Sequence, residues 1–164
     1  MDTQSARTVS TPFSPKSSHR QWLLDVIHVR LIDDSEVCVL AVINVPSQEC
    51  LHLGAVERIS KANLSAVLDG LVDRLGMPEV CVSDCAHHWF SALKPWSVAR
   101  GIVWEPRVPD VRYWRRRIQR LTAGFWFDLR AMQSVTTRAA LDLVLRDWRD
   151  NHNSALDSLP RGRR

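Results

Sequence analysis

Residues 36–45 read Glu-Val-Cys-Val-Leu-Ala-Val-Ile-Asn-Val, and a stretch of that composition has few places to go. It is nearly all apolar and rich in β-branched side chains, and it lacks the polar positions of a surface strand. Both of its faces need cover, so it belongs in the middle of a sheet with layers on either side. Asp33-Asp34-Ser35 before it reads as a turn, and Pro46-Ser47 after it breaks it. Residues 21–31 and 50–56 are strand-like as well. Three strands in succession predict an antiparallel meander.

The rest of the chain alternates. Ser60 is a helix N-cap candidate, and Leu64, Val67, Leu68, Leu71, Val72 and Leu75 follow at helical spacing. Gly76 and Pro78 end that helix. Residues 79–83 form a fourth strand, 89–99 a short helix interrupted by Pro95, and 101–104 a short fifth strand. Pro106 and Pro109 mark a loop. A helix over about 111–130 carries Trp114, Ile118, Leu121, Phe125 and Leu129 on one stripe. A last helix, about 136 to 150, turns Leu141, Val144, Leu145 and Trp148 inward. The order predicts an α/β fold: a mixed five-stranded sheet, three antiparallel strands then parallel ones, flanked by helices.

At 164 residues, 45% hydrophobic and 24% charged, the chain suits one globular domain. No apolar run approaches the roughly 18 residues of a membrane span, and the first twenty residues lack a signal-peptide core, so a cytoplasmic location is expected. Residues 1–20 are rich in Ser, Thr and Pro and read as a disordered lead-in; 154–164 reads as a basic tail. The net charge of +4 sits in these ends, because residues 21–160 hold 16 basic and 17 acidic side chains. Within that body, positive charge gathers between Arg107 and Arg120, where six Arg face one acid, Asp110. Such a cluster suits phosphate backbones, or equally a solvated helix face.

Cys38, Cys50, Cys81 and Cys85 lie in or beside apolar segments and read as buried thiols rather than disulfides. Cys81 and Cys85 with His87 and His88 also admit a zinc reading, though no second ligand pair has finger-like spacing. His28, His52 and His152 read as satisfied surface or core residues. Trp89 and Trp96 fit either the core or a platform for stacking bases.

Two acids stand where chemistry would need them. Asp25 lies in the run Trp22-Leu23-Leu24-Asp25-Val26-Ile27, and Asp84 ends the run Glu79-Val80-Cys81-Val82-Ser83-Asp84. Strand ends of α/β sheets build sites. The plain alternative is that both are turn or capping acids.

Four stretches, in order, carry a resemblance. Trp22-Leu23-Leu24-Asp25 looks like a Trp-x-x-Asp opening. Val42 to Leu51 looks like a second-strand segment, with Asn44 and Gln48 in place of Asp and Arg. Gly76-Met77-Pro78, Ser83-Asp84 and Phe90-Ser91 look like a Gly-x-Pro…Ser-Asp-Asn-Gly…Phe signature, with Cys85-Ala86 in place of Asn-Gly. Trp148, Asn151-His152-Asn153, Leu156 and Leu159-Pro160 look like a closing Trp…Tyr-Asn…Leu…Pro segment. Together they resemble the integrase catalytic core of bacterial insertion-sequence transposases and retroviral integrases, over about residues 20–160. The resemblance implies a ribonuclease-H-like fold for 21–153, with Asp25 and Asp84 as catalytic residues and ligands of Mg²⁺ (or Mn²⁺). It implies strand transfer on DNA phosphodiesters in integration or transposition. DNA would be the partner, with a second copy or an intact transposase beside it and no membrane.

The family's third carboxylate, a Glu on a helix, has no counterpart. Its place falls near Arg120 by spacing from Asp84 and near Arg116 by distance from Pro109, and no carboxylate lies between Asp110 and Asp128. A guanidinium cannot ligate a cation. At about 4 Å and an effective dielectric near 20, each charge–charge contribution is roughly 4 kcal/mol, and Arg for Glu reverses its sign. The expectation is therefore an inactive core. The alternative is a non-catalytic DNA-binding or transposase-interacting module that uses Arg112, Arg115, Arg116, Arg117 and Arg120.

Overall fold

In the computed structural model, which describes residues 21–56, 58–83, 87–105, 135 and 137–158, the apolar run becomes an interior strand. It is β2 (Glu36–Asn44), paired antiparallel with β1 (Gln21–Arg30) on one side and β3 (Cys50–Val56) on the other. The β1–β2 turn closes locally. Asp33 Oδ1 accepts from the Ser35 backbone N–H at 3.0 Å and from its hydroxyl at 2.6 Å, while Asp34 takes a φ of 63°. Asx side chains tolerate that conformation and supply those bonds.

Ser60 caps α1 (Lys61–Leu75) as expected, its hydroxyl accepting from Asn63 N. Gly76 ends the helix at φ 84°, in the left-handed region that glycine enters without a Cβ penalty. β4 (Val80–Ser83) and β5 (Val103–Glu105) then add in parallel next to β1, giving the order β3-β2-β1-β4-β5.

Three sequence expectations shift. Between β4 and β5, α2 (His87–Ala99) runs through Pro95 without interruption. A mid-helix proline costs about 3 kcal/mol. Here it is exposed while its neighbours Leu93, Trp96 and Ser97 are buried, so packing holds both halves on the sheet. Trp96 Nε1 also donates to Asp69 Oδ1 of α1 at 2.8 Å, and Arg100 reaches the same oxygen at 2.6 Å. β5 starts at Val103, because Gly101 and Ile102 are used to turn out of α2. The last helix, α3 (Arg138–Asp157), continues past the expected end at 150. The helix expected over 111–130 lies outside the described residues.

Strand alternation divides the core by face. On one face Trp22, Leu24, Leu40, Val42 and Cys81 meet Leu64, Leu68 and Leu71 of α1 and Leu93 and Trp96 of α2 in a single cluster. Trp96 is thus a core residue and offers no ring for stacking on bases. The opposite face holds two clusters. Val39, Ala41 and Leu53 pack with Leu141 and Leu145 of α3, and Leu23, Ile43, Val45 and Val82 form the other.

α3 does more than cover that face. Asn153 bridges the outer backbone of β3 at Cys50, accepting from its N–H at 2.9 Å and donating to its C=O at 3.0 Å. At the other end, Asp142 accepts from Ala55 N at 3.1 Å and Arg138 donates to Ala55 O at 3.2 Å. An edge strand otherwise presents unpaired amides to any passing chain.

Candidate functional site

Asp25 sits on β1, an interior strand of the five. Its antiparallel partner on β2 is Ala41, and on the parallel side the β1–β4 ladder runs up to Leu24 opposite Ser83. β4 therefore reaches its last described residue one step short of Asp25. Alternation places Asp25 on the face of Leu23, where the row passes from one apolar cluster to the other. It is half-buried there, opposite a small alanine.

Ser83 is fully buried, and its hydroxyl accepts from Trp104 Nε1 at 3.2 Å. This bond ties the end of β4 to β5. Nothing in the spacing of the sequence announced it, because it depends on Trp104 standing opposite Cys81 in the parallel register. Asp84 follows Ser83 in the chain and lies outside the described residues, as do Cys85, Arg112, Arg115, Arg116, Arg117 and Arg120. Of the sequence-derived site residues, the described structure contains Asp25.

The two positions singled out on the second strand serve a loop. Asn44 Nδ2 donates to Ser47 Oγ at 2.7 Å, its backbone N–H donates to Glu49 O, and its carbonyl accepts from Gln48 N. Gln48 takes a φ of 64°, and its carbonyl accepts from His152 Nε2 at 3.0 Å. His152 is further held by stacking on Trp148, one helical turn back, with centroids 5.0 Å apart and planes at 6°. The Trp148…His152-Asn153 stretch thus works as a latch between α3 and the β2–β3 loop.

His52 is a core histidine, with a difference. Its Nε2 is buried without a hydrogen-bond partner among the described residues. Gly54 leaves room for the ring: a Cβ there would lie 3.0 Å from that nitrogen. Burial, with Arg149 and Arg74 adding to it, pushes His52 down to about 4. Burial likewise pushes the Cys50 and Cys81 thiols up to about 12, so both stay protonated and inert.

Magnesium takes about six oxygen ligands, usually a few carboxylates with water and phosphate. Among the described residues no group of three or more His, Cys, Asp or Glu gathers that could hold a metal ion. Asp25 by itself does not amount to such a site. No described helix is long and apolar enough to cross a membrane.

No protein-family model matches this chain, and no curated protein matches it in sequence. Solved structures do match. The catalytic core domain of BIV integrase superposes with a TM-score of 0.54 at 19% identity, covering 90% of this chain and 87% of that one. The HTLV-2 integrase catalytic core domain, solved in complex with magnesium in a trimeric form, gives a TM-score of 0.50 at 15% identity, covering 87% of each chain. The fold is that of integrase catalytic cores, a ribonuclease-H-like mixed sheet flanked by helices.

Proposed function

We propose that this chain is an integrase- or transposase-like core, built to act on DNA in integration or transposition, whose phosphoryl transfer has been lost. The observation that carries the reading is the seat of Asp25: a carboxylate on an interior strand, beside the parallel strand whose next residue in sequence is Asp84. In two-metal phosphoryl transfer such a pair would hold the ions that activate the nucleophile and steady the leaving oxygen. This chain's own residues supply two acids and, in place of a third, Arg116 or Arg120. Two acids side by side repel, and a guanidinium between them relieves the repulsion as a built-in counter-ion. The magnesium complex of the HTLV-2 core supports Mg²⁺ as the ion such a fold once used.

The test is a nicking and strand-transfer assay with Mg²⁺ or Mn²⁺, run on the unaltered chain beside Arg116→Glu and Arg120→Glu. The unaltered chain is expected to be inactive and to show no Mg²⁺-dependent rise in Tm. One of the two variants is expected to gain that rise. Activity in the unaltered chain, or a Tm increase of several degrees with millimolar Mg²⁺, overturns the reading.

The excess of six Arg over one acid between Arg107 and Arg120 favours a second reading, a module that binds DNA or an intact transposase without catalysis. Salt-sensitive DNA binding lost on joint substitution of Arg112, Arg115 and Arg117 would support it. Binding unchanged by that substitution would remove it.

A further inference from the structure

One buried hydroxyl is held from a neighbouring strand, beside the strand that carries Asp25. Among the described residues the buried polar side chains are Asn44, Ser83 and Ser97. Asn44 bonds within its own loop and Ser97 within its own helix. Ser83 instead accepts from Trp104 Nε1 of β5, at 3.2 Å. The reach is diagonal, because Trp104 stands opposite Cys81, two residues before Ser83 and on the same face. The described β4–β5 ladder stops at Val82, opposite Glu105, so the indole takes hold one residue past it. On its other side Ser83 pairs with Leu24 of β1, on the face that α1 and α2 cover.

Stability does not require this bond. An apolar side chain would fill the position as Cys81 fills its own, and trading both partners of a buried hydrogen bond for apolar groups of the same shape is nearly neutral. What the bond adds is geometry. An indole N–H and a hydroxyl meet at one distance and along one direction, whereas apolar groups tolerate sliding.

We propose that Trp104 is a positioning residue for the acid pair. From the face covered by α1 and α2 it fixes the end of β4, and so the spacing of Asp25 and Asp84 on the opposite face. Asp25 follows Leu24 in the chain, and Asp84 follows Ser83. Carried one residue further in the same register, β4 would set Asp84 opposite Asp25. The inference rests on the proposed pairing of the two acids and adds what sets their spacing. Like charges repel in inverse proportion to their separation, so drift of the strand end changes their coupling.

Mutant cycles in the full chain, read by urea denaturation, test this. Asp25→Asn, Asp84→Asn and the double variant give the coupling of the acids as a departure from additivity. The unaltered background is expected to depart by about 0.5 M in urea midpoint. In the Trp104→Phe background the departure is expected to fall by at least half. A bond that only stabilised would shift all four members of the cycle alike and cancel. Ser83→Ala should reproduce the fall, and Ser83→Thr, which keeps a hydroxyl, should retain the coupling. These two carry the test should Trp104→Phe fail to fold, as judged by circular dichroism. Additivity in the unaltered background removes the acid pair and this proposal together. A departure undiminished by Trp104→Phe or Ser83→Ala overturns the positioning role and leaves the acid pair standing.

Discussion

The two faces of the sheet are built on different plans. On one, β1, β2, β3, β4, α1 and α2 share a single apolar cluster. On the other, two smaller clusters leave a row between them, and Asp25 lies in that row. An ionised carboxylate is expensive in a closed apolar layer but tolerable where packing is divided and polar groups can approach. The unbroken face packs as one layer, whereas the divided face has room for a half-buried acid between its clusters.

The largest effect that would break this contrast concerns the packing itself. Leu68→Ala, at a fully buried position of the unbroken face, is expected to lower stability by about 3–5 kcal/mol in urea denaturation. Leu145→Ala, equally buried under α3 on the divided face, should lower it by less, about 2–3 kcal/mol. Equal losses would mean that the two faces are equally cooperative.

A second test uses acid. His52 projects on the unbroken face and is held near 4, below the ordinary histidine value of 6.5. The unfolded chain therefore binds this proton first. The contribution of His52 is fully present above about pH 6.5, declines as pH falls, and is lost below about 4. It amounts to about 3 kcal/mol at most. Denaturation at pH 7 and pH 5 should show most of that loss, about 2 kcal/mol, in the unaltered chain and a smaller one in His52→Phe. A slope shared by both would assign the acid sensitivity to other groups.

Smaller again is the latch on the divided side. Asn153→Ala removes both bonds to the Cys50 backbone and should cost about 1–3 kcal/mol, with faster amide exchange confined to β3. Smallest is the surface pairing of Arg30 with Asp34 and Glu36, at 3.8 and 4.0 Å and largely exposed. Arg30→Ala should change stability by less than about 1 kcal/mol and should matter less still in salt.

The strands were legible because each carries its signal locally. The run at 36–45 is too apolar to be anything but an interior strand, and Ser60 and Gly76 bracket α1 with their own cap chemistry. Pro95 misled because local propensity has no knowledge of the contacts that Leu93 and Trp96 make with the sheet. The end of α3 escaped because residues 151–157 have little apolar period; they are held by bonds to β3 and to the β2–β3 loop, far away in sequence. The site was legible only in part. Asp25 stands where the strand pattern put it, whereas Trp104 against Ser83 and Cys38 against His28 arise from register, which no single segment encodes.

Asn153 and Asp142 have a consequence for any shortened version of this chain. With α3 cut back ahead of Asn153, the backbone amide and carbonyl of Cys50 would be bare along the outer edge of β3. Such an edge recruits copies of itself, so a truncated product should precipitate as β-rich aggregates even if its sheet still forms.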